Sequence, residues 1–359
     1  MRTIKITLAV LTILLVVSCA MRNSIKMVTT IERNGKVHRD VYANEQRLDE
    51  ETYVNPFLFD IGPDWKITRF DSAIVYNFFG DDEKFNIKIS KSANSIEQYS
   101  KEIQNATDKS LAAPEESLAK KFRWFYTYYS FKAVYKKLQY EVPVPIENYL
   151  TKEEQIFWTQ EGGNMGNHRI LSGYEMKTTD YLDKINNNFF QWYFHNCWEI
   201  SFEAIKKLAV GYDLAKDKEK LYETEFSADG ATLEKEGYYI TPEIVCNSMD
   251  NFYKTTYFSQ LYKNNEETLD KEFETISTII DKTGVAISYE LVISGKVIKT
   301  NTPLVNSDTL TWKVDGMRLL FDDYTLSAEY RIANKWAFLL SGLIIILAIG
   351  SLVVWGRGR

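Results

Sequence analysis

Three cysteines and three histidines are the side chains of this sequence best suited to nucleophilic or metal chemistry. His195 and Cys197 could suggest a base and a nucleophile, but they lie two residues apart in a region with helical spacing. Residues two apart point to different faces of a helix, so they do not form a working dyad. His38 falls in a predicted surface strand and His168 in a loop, and no metal-ligand spacing appears. We therefore expect a protein that is not an enzyme and that needs no cofactor or metal.

Cys19 stands in a different setting, at the end of an N-terminal export signal. A short basic region with Arg2 and Lys5 precedes an apolar run over residues 6–17. This pattern is typical of a secretory signal peptide, and the run is too short to span a bilayer. Val16-Val17-Ser18-Cys19 resembles the bacterial lipobox, whose cysteine receives a diacylglyceryl group and becomes the new N-terminus. The resemblance implies lipid attachment at Cys19; the alternative is an ordinary cleaved signal with an incidental cysteine.

Cys197 and Cys246 are the two thiols that remain if Cys19 is acylated. In an oxidising compartment such a pair can form a disulfide. The alternative is two buried free thiols that pack as small hydrophobic residues. The sequence does not determine the distance between them, so both alternatives stay open.

Residues 336–355 form the longest apolar stretch, with no charge and no proline. About 20 residues at about 1.5 Å per residue give about 30 Å, which matches the hydrocarbon core of a bilayer. Trp336 and Trp355 stand at its two ends, where amphipathic rings favour the headgroup level. The stretch therefore predicts a single transmembrane helix with these two tryptophans as interface anchors.

The orientation of this helix depends on both ends of the chain, because basic residues flank it on either side. An exported N-terminus followed by one spanning helix leaves residues 20–335 outside the cytoplasm and residues 356–359 inside. Helices this apolar are rarely carried to an outer membrane. We therefore expect a bacterial inner-membrane protein with a periplasmic ectodomain, and an outer-membrane lipoprotein is the alternative.

The composition is mildly acidic and rich in aromatic residues, with a formal net charge of −6 and 14% aromatics. An acidic chain argues against nucleic acid as a partner and against attraction to anionic headgroups through overall charge. The aromatic content indicates either a thick aromatic core or an apolar ligand cavity.

Residues 122–135, with the sequence FRWFYTYYSFKAVY, are the most unusual exported stretch. Aromatic and β-prone residues without glycine or proline predict one long strand that is buried on both faces. Alternatively, its side chains line a hydrophobic cavity. The candidate wall for an apolar ligand consists of Phe122, Trp124, Tyr126 and Tyr128.

Strand patterns lie at both ends of the exported part, and helical patterns lie between them. Asn34-Gly35 predicts a hairpin with a type I′ turn, and Thr151 with Glu154 matches a helix capping box. Residues 150–283 have helical spacing. We predict an α+β fold in which N- and C-terminal strands share one antiparallel sheet around a helical insertion, plus one C-terminal transmembrane helix. Two separate domains are the alternative.

These signals divide the chain into seven segments. In order they are a signal peptide (1–18), a lipidated linker (19–25), a β-rich N-terminal half (26–149), a helical insertion (150–283), a C-terminal β segment (284–334), a transmembrane helix (336–355) and a cytoplasmic stub (356–359).

The segment before the membrane helix resembles the C-terminal part of LppM-type envelope lipoproteins. The matching pieces are Ser294-Gly295-Lys296-Val297, Asn301, Leu310-Thr311-Trp312, Ser327-Ala328-Glu329 and Asn334. That family usually has proline at position 294, and the helical middle has no counterpart in it. The whole chain also resembles uncharacterised Bacteroidetes-type envelope lipoproteins with a FRWFYTYY-like strand. The LppM resemblance implies a lipid-binding role for the exported domain, without binding residues to carry over.

Two functional hypotheses follow. The first is a membrane-anchored periplasmic lipoprotein that binds a lipid or another apolar ligand, which predicts an enclosed apolar pocket. The second is a structural or interaction subunit of a cell-envelope complex with an envelope protein as partner. It predicts a filled core and an exposed apolar patch of several hundred Å². In both, membrane lipid surrounds the acyl anchor and the transmembrane helix.

Overall fold

A computed structural model describes residues 24–45, 55–78, 81–106, 113–159, 175–225, 240–283 and 285–357. The contacts within it divide the chain into two compact units. The strand-rich unit consists of Asn23–Lys137, Ala286–Asp315 and Asp322–Arg359, and the helical unit includes Leu138–Val285 and Gly316–Phe321.

The described residues form eleven strands and eight α-helices. The strands are β1 (Ser24–Ile31), β2 (Val37–Ala43), β3 (Lys66–Phe78), β4 (Asp81–Ala93), β5 (Glu115–Phe122), β6 (Tyr126–Tyr135), β7 (Ala286–Ile293), β8 (Lys296–Thr300), β9 (Leu304–Asn306), β10 (Thr309–Asp315) and β11 (Tyr324–Ala333). The helices are α1 (Ile96–Ala106), α2 (Lys152–Thr159), α3 (Glu175–Leu208), α4 (Leu214–Glu225), α5 (Pro242–Tyr253), α6 (Tyr257–Thr283), α7 (Gly316–Leu319) and α8 (Lys335–Arg357).

The strands build two sheets, and this corrects the prediction of one shared antiparallel sheet. The larger sheet has the order β3-β4-β2-β1-β7-β10-β9, and the smaller sheet has the order β5-β6-β11-β8. The predicted α+β class is confirmed, as is the pairing of N-terminal with C-terminal strands. The central β1–β7 pair, however, is parallel. A parallel pair needs a long crossover connection, and the residues between these two strands include Leu138–Val285 of the helical unit.

The inner faces of the two sheets pack on one another through aromatic side chains. Phe131 on β6 lies 6.0 Å from the ring of Tyr289 on β7 and 6.3 Å from the ring of Trp312 on β10. All three side chains are buried. Aromatic side chains therefore fill the core of this unit.

The first hairpin forms where Asn34-Gly35 predicts it, but its turn is not of type I′. Gly35 has φ +91°, whereas Asn34 is not among the residues with positive φ. The Gly35 N–H donates to the Glu32 carbonyl at 3.0 Å, and the Glu32 N–H donates to the Lys36 carbonyl at 2.9 Å. The loop is therefore longer than a two-residue type I′ turn, and Gly35 occupies its left-handed position.

In the helical unit, the helix ends lie where the capping residues in the sequence predict them. Thr151 and Glu154 form the capping box, because the Glu154 N–H donates to Thr151 Oγ1 at 3.2 Å and the Thr151 N–H donates to Glu154 Oε2 at 2.8 Å. Thr241 caps α5 by accepting from the Ile244 N–H at 3.3 Å. Helix α6 is interrupted at Asn265, whose φ of −134° is not helical.

Candidate functional site

Helix α8 contains the predicted membrane span. The segment Lys335–Trp355 is long and apolar enough to cross a membrane, and it lies almost entirely exposed. Trp336 and Trp355 near its two ends are both exposed. Exposed apolar surface of this extent marks a site of membrane or protein interaction.

A hairpin of the smaller sheet lies against the beginning of this helix. Residues 122–135 do not form one strand, because β5 ends at Phe122 and β6 begins at Tyr126. The Arg123 N–H donates to the Tyr126 carbonyl at 2.8 Å, and the Tyr126 N–H donates to the Arg123 carbonyl at 3.1 Å. The prediction of a strand buried on both faces is therefore wrong: β6 alternates between buried and more exposed residues. We call the segment from Phe122 to Tyr126 the hairpin tip.

Asn334, the residue before α8, fastens the hairpin tip to the helix. Its side-chain Nδ2 donates to the carbonyls of Arg123 at 2.8 Å and Trp124 at 3.0 Å. Its backbone N–H donates to the Phe125 carbonyl at 2.9 Å, and its Oδ1 accepts from the Thr127 hydroxyl at 2.9 Å. One residue thus satisfies three consecutive carbonyls of a turn that contains neither glycine nor proline.

Four ring contacts join the hairpin tip to the first turn of α8. The ring centroid of Trp336 lies 6.3 Å from that of Phe122 and 5.2 Å from that of Trp124. The ring of Phe338 lies 4.8 Å from Phe125 and 5.8 Å from Tyr126. These contacts form an aromatic cluster around the N-terminal end of the helix.

The hairpin tip reaches along the helix into its apolar stretch. The Trp124 indole N–H donates to Ser341 Oγ at 2.8 Å. Ser341 lies six residues after Lys335, which is about 9 Å along a helix axis. Even so, Phe122, Trp124 and Phe125 remain 56%, 44% and 41% exposed.

The four residues of the predicted ligand wall do not share one surface. Phe122 and Trp124 belong to the exposed tip, and Tyr126 is half-buried beside Phe338. Tyr128 lies on the outer face of β6, in a groove of about 570 Å³. The turn between β5 and β6 separates Phe122 and Trp124 from Tyr126 and Tyr128, which lie two residues apart on the outer face of β6.

A buried ion pair lies in the core of the strand-rich unit, away from the surface. Arg39 Nη2 donates to Glu116 Oε1 at 2.6 Å, and both side chains are fully buried. The Tyr289 hydroxyl donates to the same oxygen at 2.5 Å, and Arg39 Nε donates to Thr29 Oγ1 at 2.9 Å. The guanidinium also lies 4.1 Å above the Tyr99 ring. Burial alone would lower the pKa of Arg39, but the Glu116 carboxylate outweighs it and raises that pKa.

The histidine and cysteine of α3 have separate partners, as their spacing predicts. His195 Nδ1 lies 2.7 Å from the Tyr149 hydroxyl, and Nε2 lies 3.5 Å from Glu199 Oε1. Lys218 Nζ donates to Glu199 Oε2 at 2.7 Å. Burial would raise the pKa of Glu199, but hydrogen bonds from His195 and Lys218 hold it below its ordinary value. Cys197 is buried, and burial raises the pKa of its thiol.

Cys197 and Cys246 are both free and buried in the structure. The structure therefore has the second of the two alternatives, in which both thiols are free and pack as small hydrophobic residues. Burial raises the pKa of Cys246 to about 12. Among the described residues, no group of three or more His, Cys, Asp or Glu side chains could hold a metal ion.

Several sequence predictions concern residues that the structure does not describe. Cys19, the predicted signal peptide and the glycine-rich loop with His168 all lie outside the described ranges. His38 is described, and its Nδ1 lies 3.0 Å from Ser92 Oγ on the neighbouring strand β4. It is an exposed strand residue, as predicted.

The comparisons with known proteins add little. A scan against protein-family models finds no match, and no curated protein matches the chain. Among solved structures, the chain is similar to the folded domain of the Mycobacterium tuberculosis LppM protein, determined by NMR, at 8% sequence identity and a TM-score of 0.28. The match covers 87% of this chain and 90% of that chain. At these values the likeness carries no argument about fold or function.

Proposed function

We propose that the protein is a membrane-anchored envelope protein whose strand-rich unit binds lipid at the bilayer surface. The observation that carries this proposal is the exposed aromatic hairpin tip, fastened by Asn334 to the start of an apolar helix of spanning length. If α8 spans the bilayer, the tip lies at the level where Trp336 meets the interface. Exposed Trp and Phe side chains favour that level.

The energy of burying the tip supports this placement. A whole Phe or Trp side chain covers about 150–250 Å², so the exposed parts of Phe122, Trp124 and Phe125 total about 250 Å². Moving this area out of water contributes roughly 6 kcal/mol at about 25 cal/mol per Å². This free energy is larger than the free energy with which a single myristoyl chain binds a membrane, and that binding is already marginal and reversible. The strand-rich unit would therefore rest on the bilayer instead of moving freely on its tether.

The remaining parts of the proposal come from the sequence signals. We propose export through the N-terminal signal, acylation of Cys19, and a bacterial inner-membrane location with the ectodomain in the periplasm. An outer-membrane location is the alternative. We propose a binding role; the His195, Cys197 and Glu199 side chains described above take part in packing and local ion pairs.

The open form of the groove beside Tyr128 favours a lipid held at the surface over one enclosed in the core. The space between the two sheets is filled by aromatic side chains, among them Phe131, Tyr289 and Trp312. A lipid would therefore be recognised by its headgroup and upper acyl chain, next to the hairpin tip.

The alternative, an interaction subunit of an envelope complex, is supported by the filled space between the sheets, which it predicts, and by an exposed edge strand. Strand β3 is 13 residues long and lies at the edge of the larger sheet as described. Ile67 and Val75 on this strand are 45% and 54% exposed. Edge strands of this kind can accept a strand from a partner.

Native mass spectrometry of the full chain, purified in a nonionic detergent, tests the lipid function. We expect the wild type to retain phospholipid in stoichiometric amount, and a Phe122→Ser/Phe125→Ser variant to lose most of it. Ile67→Ser/Val75→Ser is the matched control, because it also removes two exposed apolar side chains from the same unit. Equal retention by the wild type and the tip variant, or no retention by either, would count against the proposal and favour the alternative.

A further inference from the structure

The outer face of the smaller sheet carries a row of basic side chains next to the hairpin tip. Strand register pairs Lys121 on β5 with Tyr128 on β6, Tyr128 with Arg331 on β11, and Arg331 with Lys296 on β8. Side chains opposite one another in a sheet lie on the same face. We call Lys121, Tyr128, Arg331 and Lys296 the cationic row. It faces outward, because the alternate residue Tyr330 is buried toward the core.

The basic side chains of this row form no direct ion pairs. In the part of the chain that the structure describes, no salt bridge involves Lys121, Arg331 or Lys296, although Glu329 lies on the same face one row away. The Arg331 guanidinium instead lies 4.3 Å from the Tyr126 ring centroid. The Arg123 guanidinium lies 5.8 Å from the Tyr128 ring. Aromatic contacts hold these guanidinium groups while leaving their N–H donors able to bind an anion.

The row lies at the distance from the helix that a lipid phosphate would occupy. The neighbouring row toward α8 pairs Tyr126 with Ala333, and the Tyr126 ring contacts Phe338. The cationic row is two residues further along each strand, which is about 7 Å. The polar headgroup region of a bilayer is about 5–8 Å thick on each side of the hydrocarbon core.

The groove of about 570 Å³ begins at one end of this row and offers mixed hydrogen-bonding chemistry. Its lining consists of Ala119, Lys120, Lys121, Arg123, Tyr128, Tyr129, Ser130 and Glu329. Three cations and three hydroxyl-bearing side chains can bind phosphate oxygens. Glu329, paired across the strands with Lys299, can accept hydrogen bonds from headgroup hydroxyls.

We infer that the groove and the cationic row bind the phosphate of an anionic, hydroxyl-bearing lipid headgroup. The inference rests on the proposed function, because it takes the hairpin tip to lie in the bilayer interface. The net charge of −6 conceals the site, since Lys121, Arg331 and Lys296 share one face of one sheet. The expectation that overall charge disfavours anionic headgroups therefore does not apply locally.

Titration of the full chain in a nonionic detergent with phosphatidylglycerol or phosphatidylcholine, followed by native mass spectrometry, tests this site. Each basic side chain near an anionic lipid contributes about a fivefold change in affinity. We expect wild-type protein to bind phosphatidylglycerol at least tenfold more tightly than phosphatidylcholine. A Lys121→Gln/Arg331→Gln variant should bind phosphatidylglycerol about 30-fold more weakly.

The matched control is Lys132→Gln, which removes a charge from the same face of β6, about 13 Å from Tyr128 along the strand. It should leave both affinities unchanged. Equal binding of the two lipids, or an unaffected row variant, would overturn the headgroup site while leaving the lipid function intact. Inorganic phosphate that competes as well as phosphatidylglycerol would overturn the lipid identity of the ligand. Failure of the wild type to bind either lipid would instead count against the proposed function.

Discussion

Replacement of Asn334 by alanine should release the hairpin tip from helix α8. The Asn334 side chain takes part in three hydrogen bonds, to the carbonyls of Arg123 and Trp124 and from the Thr127 hydroxyl. At a net contribution of about 0.5–1.5 kcal/mol each, and with water able to replace some of them, the loss is about 2 kcal/mol. The backbone bond from Asn334 to Phe125 remains.

A loss of about 2 kcal/mol corresponds to about a 30-fold increase in local opening, and hydrogen exchange measures this directly. The amides of Arg123 and Tyr126, which bond across the turn, should exchange about 30-fold faster in Asn334→Ala than in the wild type. Asn301→Ala is the matched control. Its side chain bonds the Thr325 carbonyl and accepts from the Ser327 N–H, away from the hairpin tip. Unchanged exchange at the tip in Asn334→Ala, or equal acceleration in the control, would refute the role of Asn334.

Three further predictions concern the core and the helical unit. Glu116→Gln leaves the buried Arg39 charge without its partner. The free energy of unfolding, measured by denaturant titration, should fall by about 3–5 kcal/mol. A loss under about 1 kcal/mol would contradict the buried ion pair. Cys197 and Cys246 should not react with a thiol reagent at pH 8 until the chain unfolds, and reductant should leave Tm unchanged; a lower Tm after reduction would indicate a disulfide. Because the Glu199 pKa is lowered from 4.5, the unfolded state binds its proton first, so the helical unit should lose stability as pH falls below about 4.5. Glu199→Gln should flatten this acid dependence in circular dichroism melts, and an unchanged slope would show that Glu199 does not contribute.

Features that depend on a few neighbouring residues could be predicted from the sequence. The capping box at Thr151 and Glu154 and the apolar span of α8 follow from local spacing alone. The hairpin at Asn34-Gly35 was predicted in place but not in turn type, because glycine alone adopts positive φ there. In each case the deciding interaction lies within a few residues of the signal.

Features that depend on distant pairing were missed. The turn at Arg123 has no local signal, because its carbonyls are satisfied by Asn334, about 210 residues later. The cationic row exists only through the register of β11 against β6 and β8, which alternation of polar and apolar residues does not determine. One feature of the sequence could have indicated the basic site. Lys120, Lys121 and Arg123 lie among aromatic residues at the hairpin tip.

The depth of Trp124 in a bilayer tests the central claim most directly. The full chain would be placed in lipid nanodiscs containing phospholipids brominated at defined acyl positions, and tryptophan quenching would be compared between wild type and Trp124→Phe. Trp65→Phe, which removes a buried tryptophan of the same unit, serves as the control. We expect the Trp124 contribution to be quenched most strongly by bromines near the headgroup, and the Trp65 contribution not to be quenched. A Trp124 contribution that no brominated lipid affects would show that the hairpin tip lies in water and would contradict the account.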